Sequence, residues 1–216
     1  MTGKIKLVHS GGNAVSIAVP TSNPSSSEVE FKLPQSDGSA NQVLQTDGNG
    51  NLSWYTIPTS GITEYDAWLI TSDFTTDASS PDYINSNWAR QDLGNNLFEK
   101  IGTGMSESSG IFTFPSTGKY QINAAWDVFS NQVTDSNVLG SIYATHNNSS
   151  YTMIARARIN TDASDRFALF AQACIDVTDT SQVKVRLAGD SSNGNTFQGG
   201  QGAMRTGIIF KRIGDT

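Results

Sequence analysis

"GIFTFPSTGKYQINAAWDVF", Gly110 to Phe129, decides how the chain is read. From Lys119 onward its residues alternate. Tyr120, Ile122, Ala124, Trp126 and Val128 take one face, while Lys119, Gln121, Asn123 and Asp127 take the other. Period two marks a strand with one buried face, because successive side chains leave a pleated backbone on opposite sides. Tyr120, Ile122 and Trp126 are therefore expected to point into a core.

The same period recurs on both sides of this stretch. It fits "YDAWLI" (65–70), "GIFTF" (110–114), "VLGSIYAT" (138–145), "YTMIARARI" (151–159), "RFALFAQACIDV" (166–177), "QVKVRLA" (182–188) and "TGIIFKRI" (206–213). Polar clusters at 130–137, 146–150, 160–165 and 190–195 separate these runs and read as turns. No window carries an apolar stripe of helical period, and "DYINSNWARQDL" at 82–93 amounts to one or two helical turns. Many short strands at this spacing predict an all-β chain folded as a jelly-roll sandwich.

Composition narrows the function classes. The chain has 216 residues, enough for one large domain or a domain with an extension. Charged residues are 16% of it, against roughly 25% in ordinary soluble proteins. The wettable surface must come from Ser, Thr, Asn, Gln and Gly. A net charge of −6 speaks against nucleic acid as a partner, since phosphate neutralisation needs a basic face. Membrane attachment is equally unsupported: no run approaches the ~18 apolar residues of a spanning helix. His9-Ser10-Gly11-Gly12-Asn13 also interrupts what would be the core of a signal peptide. Synthesis and retention in a cytoplasm are expected. Cys174 is the single cysteine, which excludes an internal disulfide framework. It reads as a small buried hydrophobe on its strand, with no histidine near it in sequence to make it a nucleophile.

The first 62 residues differ from the rest. Phe31, Trp54 and Tyr55 are their only aromatics, and "KIKLV", "AVSIAV", "EVEFKL" and "NQVLQ" are too short to be stable strands alone. "QVLQTDGNGNLSWYTIP", Gln42 to Pro58, reads as a hairpin turning at Asp47-Gly48-Asn49-Gly50. Residues 1–62 are thus expected to be an attachment and trimerisation β segment that leans on sister chains, and 63–216 a head domain.

Two resemblances sharpen this division. Gly110, Phe112, Phe114, Pro115, Gly118 and Tyr120, together with Gly207 before Ile208, Ile209 and Phe210, resemble the strand–turn–strand and closing strand of the complement globular-head and tumour-necrosis-factor superfamily. The likeness spans about residues 64–214 and implies a jelly roll that assembles as a trimer. No collagen-like stretch precedes it, and the closing strand lacks the aromatic pair usual before its glycine. "LPQSDGSANQVLQTDGNGNLSW", Leu33 to Trp54, resembles a segment of tail-fibre and other structural proteins of tailed bacteriophages. Together they imply a non-enzymatic virion protein, a homotrimer joined to other virion proteins, with the virion as its location. A tail or head fibre for host attachment and a capsid decoration protein both fit. So does a cellular carbohydrate-binding module of the same fold.

Chemistry-bearing residues are sparse. Asp47 to Asn51 has oxygens at alternate positions, but Pro58 stands where a calcium loop needs its glutamate, so a turn is the preferred reading. Asp73, Asp77 and Asp82 have no ligand spacing, "GGQGAM" (199–204) lacks the strand–glycine–helix order of a dinucleotide site, and His146 lies in a turn. No cofactor, metal or catalytic residue is assigned, and no paired carboxylates mark a glycosidase. Arg156 and Arg158 share a strand face; ion pairs with nearby aspartates are preferred there over sulfated or carboxylated glycans. A host-surface glycan is instead expected at two amide-rich loops, 146–151 and 190–198. The residues nominated are Asn147, Asn148, Asn193 and Asn195, with Tyr151 and Phe197 as stacking faces.

Overall fold

The computed structural model describes residues 4–18, 20–25, 28–57, 61–77, 81–91, 99–130, 135–162, 164–200 and 203–216. The chain folds as two compact units, Met1–Thr59 and Ser60–Thr216. Every regular element among the described residues is a strand.

The N-terminal unit holds two separate hairpins. Strands β1 (Lys4–Val8) and β2 (Ala14–Ala18) pair antiparallel, with Ile5 opposite Ile17 and Leu7 opposite Val15. Strands β3 (Gln42–Thr46) and β4 (Leu52–Thr56) form the second, with Thr46 opposite Leu52. Gly48 and Gly50 in its loop take φ of 83° and 87°, a region glycine enters without a Cβ clash. Asp47 Oδ1 accepts from the Asn49 and Asn51 amides at 2.8 and 3.2 Å, and Oδ2 accepts from Asn51 Nδ2 at 2.6 Å. "EVEFKL" is not a strand: it contributes one bridge, Lys32 to Asn51.

The second unit stacks two antiparallel sheets. Its strands are β5 (Tyr65–Ile70), β6 (Phe74–Thr75), β7 (Trp88–Arg90), β8 (Ser106–Ser108), β9 (Ile111–Thr113) and β10 (Gly118–Phe129). They continue as β11 (Asp135–Thr145), β12 (Thr152–Thr161), β13 (Arg166–Val177), β14 (Lys184–Asp190), β15 (Thr196–Phe197) and β16 (Gly207–Gly214). One sheet runs β6-β15-β10-β16-β5-β7, with β13 paired along the whole of β10; the other runs β12-β11-β14-β9-β8. The expected helical turns at 82–93 are absent among the described residues. Trp88–Arg90 pairs with β5 instead, and Tyr83 bridges to Ala188.

The core fills the space between the sheets. Tyr120, Ile122, Trp126 and Val128 of β10 are fully buried, as their phase predicts, against Phe112, Ile142, Leu187, Ile208 and Phe210. Each fully buried side chain of this size contributes roughly 1.5–3 kcal/mol. At one edge, Asp66 is buried and takes a fork from Arg90, with Nε to Oδ1 at 2.8 Å and Nη2 to Oδ2 at 3.1 Å. Trp68 Nε1 and the Met105 amide also donate to Asp66 Oδ2.

Candidate ligand-binding face

The sheet β12-β11-β14 has an inner and an outer face, and β11 sets their phase. Val138, Ile142 and Ala144 belong to the core, so Leu139, Ser141, Tyr143 and Thr145 point to the opposite side of the sheet, where all four are nonetheless buried. The register then builds rows across the outer face. Leu139 stands between Arg158 and Asp190, Ser141 between Arg156 and Ala188, and Tyr143 between Met153 and Arg186. A register shift between Ile142 and Tyr143 brings Met153 into line.

Tyr83 completes this face from a distant part of the chain. The Ile84 amide donates to Leu187 O at 3.0 Å and the Gly189 amide to Asp82 O at 3.1 Å, fastening residues 82–84 to the edge of β14. The Tyr83 ring then meets Tyr143 edge-on at 5.3 Å and Tyr151 at 6.2 Å. Arg186 places Cζ 3.8 Å from the centre of Tyr83 and 5.3 Å from that of Tyr151. A guanidinium against ring faces is held by the negative quadrupole of the π system. Arg186 also donates from Nη2 to Asn85 Oδ1, while its Nε is buried without a hydrogen-bond partner.

Burial pushes the Tyr83, Tyr143 and Tyr151 hydroxyls above the ordinary phenol range. Arg186 opposes that rise at Tyr83 and Tyr151, Arg156 opposes it at Tyr143, and Asp190 adds to it at Tyr83 and Tyr143. All three phenols therefore remain protonated at neutral pH, able both to donate and to accept.

The nominated loop residues divide. Asn147 is exposed, yet its Oδ1 accepts from Thr145 Oγ1 at 2.9 Å and from the Ser149 and Ser150 amides at 3.1 and 2.9 Å, so its carbonyl builds the turn. Asn148 is exposed at φ 52°, with its amide donating to Gln182 O. Tyr151 is half-buried in the tyrosine–arginine cluster. Asn193 is exposed and its amide donates to Asp135 Oδ2 at 3.2 Å.

Asn195 and Phe197 are corrected. Both are 0% exposed. Asn195 donates from Nδ2 to Asp135 Oδ2 and from its amide to Ser191 Oγ. Phe197 sits in β15 between β10 and β6, facing Phe74 and Gly189. The segment 190–198 is thus partly a strand folded inward, and neither residue can meet an external ligand.

Other expectations also change. Cys174 is exposed, because it pairs opposite Gln121 and shares the outer face of β10. Arg156 and Arg158 are exposed and make no ion pair among the described residues. Arg166 donates to Gln198 Oε1 at 2.7 Å and lies 4.7 Å over the Phe129 ring. Asp73 accepts from the distant Gly199 amide, while Asp82 accepts locally from the Asp77 amide. Among the described residues no three His, Cys, Asp or Glu side chains converge as metal ligands would. Residues 201–202 of the glycine-rich loop, 131–134 of the first polar cluster and 92–93 lie outside the described residues.

Sequence reasoning missed Tyr83, Tyr143 and Arg186. Tyr143 stands in the outer phase of its strand, a readable signal. Tyr83 carries none, since only the distant β14 gives it a place.

The order of strands in both sheets and the full-length β10–β13 pairing invite comparison with solved structures. Eiger TNF from S. frugiperda superposes with a TM-score of 0.51 at 8% identity, covering 70% of this chain and 93% of that one. The second unit is a tumour-necrosis-factor-like jelly roll. Murine APRIL, at pH 8.0, matches with a TM-score of 0.49 and 11% identity over 69% of this chain and 98% of its own. At such identities the likeness concerns the jelly roll alone. No protein-family model and no curated protein sequence matches the chain.

Proposed function

We propose that this chain is a non-enzymatic structural protein of a tailed-phage virion, in which residues 1–62 attach to the particle and three jelly-roll heads face outward. The observation that carries the reading is the unburied apolar surface of the N-terminal unit. Ile5, Leu7, Val15 and Ile17 line one face of the β1–β2 hairpin and all are exposed in the single chain. A lone two-stranded hairpin is marginal in water, and neighbouring chains would cover both this face and its strand edges.

Two further features support it. The phage-like segment Leu33–Trp54 closes on itself: Trp54 Nε1 donates to Ser36 O at 2.8 Å, and its ring packs on Gly38 so tightly that a Cβ there would collide. That contact gives the spacing of the segment a physical reason. Phe170, 72% exposed on the outer face of β13, lies with Ala125, Ala168 and Met204 along one groove that Asp127, Arg166 and Arg205 also line. An exposed aromatic in a mixed apolar and charged groove on a sheet face is what a sister head would cover.

Sedimentation of the full chain should give three protomers, and Phe170→Asp should shift it toward monomer. A monomer at micromolar concentration for the unaltered chain overturns the trimer. Antibody labelling of purified particles tests the virion assignment separately, and unlabelled particles would remove it.

A further inference from the structure

We propose that the outer face of the β12-β11-β14 sheet binds an acidic saccharide, with Arg156 and Arg158 taking a uronate carboxylate and the Tyr83–Tyr143–Tyr151 cluster flanking the sugar ring. The inference deepens the reading of an outward head, on which its biological role rests, and it moves the ligand from the loops to a strand face.

Charge is the first argument. The protein carries −6 overall, yet this face gathers Arg156, Arg158 and Arg186 without an ion pair among the described residues. Elsewhere in the head, Arg90 is paired with Asp66 and Arg212 with Asp215. Two exposed arginines at alternate positions of one strand stand about 7 Å apart. That spacing suits successive contacts along one saccharide. Guanidinium is planar and meets a carboxylate through two parallel N–H donors, which a lysine cannot reproduce.

Shape and the placement of acids agree. Tyr83 and Tyr151, both half-buried, provide ring surface beside the buried Tyr143, and their protonated hydroxyls provide both donors and acceptors. The acidic groups near them, Asp190 and Asp82, lie on the β14 side of the face, with Asp190 in the row of Arg158 and separated from it by Leu139. There the Asp190 Oδ1 accepts from the Asp82 amide at 2.9 Å. The face is therefore polarised, with its positive side along β12.

Calorimetric titration of the full-length protein with tetragalacturonate tests this, with maltotetraose and a heparin tetrasaccharide as comparators. Saturable binding to tetragalacturonate, absent for maltotetraose and reduced at least tenfold by Arg156→Gln/Arg158→Gln with unchanged melting, is the expected result. No binding, or equal binding by the double variant, overturns the site. Tighter binding of the heparin tetrasaccharide overturns the carboxylate assignment, as does full affinity in Arg156→Lys/Arg158→Lys. Tyr151→Ala should weaken binding several-fold; an unchanged affinity removes the tyrosines from the site. If tetragalacturonate binds as expected while purified particles carry no label, the saccharide site stands and the virion reading alone falls.

Discussion

The Trp126 ring packs so closely on Gly140 that a Cβ at position 140 would overlap it. β10 and β11 belong to different sheets, so this contact sets the spacing of the sandwich. Trp126 is fully buried. Trp126→Ala should cost about 3–5 kcal/mol, and Gly140→Ala about 1–3 kcal/mol through overpacking. The two should be non-additive: in a Trp126→Leu background Gly140→Ala should be nearly neutral. Gln121→Ala, on the opposite face, should change little. Equal denaturation midpoints for Trp126→Ala and Gln121→Ala would show that the strand phase is wrong.

Asp66 should be among the most sensitive polar positions. Arg90, Trp68 and the Met105 amide all direct donors at its buried carboxylate. Asp66→Ala strands a partly buried guanidinium and should cost about 3–5 kcal/mol. Urea unfolding measures it, and a loss below about 1 kcal/mol would show the cluster to be dispensable.

Acid sensitivity follows from turn carboxylates. Asp47 is held below its ordinary value chiefly by the Asn51 side chain, and Asp179 chiefly by the Ser181 hydroxyl. A depressed folded pKa means stability present above the unfolded value and lost as pH falls through the folded one. Asp82 runs the other way: burial raises it, so its contribution is present at low pH and is lost as pH rises through its folded value. Below about pH 4, the ordinary aspartate value, the Asp47 and Asp179 contributions should fade. Asp47→Asn should flatten the acid limb of a hairpin-specific signal, such as Trp54 fluorescence, without altering the head. An unchanged acid limb would count against the Asp47 turn.

The two units should differ in autonomy. Residues 61–216 hold the buried core and should melt cooperatively when expressed alone. Residues 1–57, whose apolar side chains are largely exposed, should be digested rapidly. Limited proteolysis decides, and a resistant N-terminal fragment would overturn the split.

Much of the fold was legible because alternation is a local property. β10, β5, β12 and β16 fall where the period predicts, and a single polar-out, apolar-in phase fixes which side of β10 is buried. β13 also lies at 166–177 as the period predicts, but its buried side could not be read this way. Phe167, Leu169 and Ile175 alternate with Phe170 and Cys174, so both of its faces are apolar. Only pairing with β10, Phe170 opposite Ala125 and Cys174 opposite Gln121, sends the second set outward. Asn195 and Phe197 likewise looked like loop because a two-residue strand has no period to read; partners far along the chain, Asp135 and β10, draw them inside. The candidate face has the same character. Arg156 and Arg158 were visible as a pair on one strand, but Tyr83 and Arg186 lie far apart in the chain and meet only in the folded head. The all-β jelly roll and the phase of its central strand were already written in the order of the residues, through the energetics of burying one side of a pleat. Which polar residues stand together at the surface emerged only on folding, because strand order and register are set by the packing of the whole sandwich and not by any segment within it.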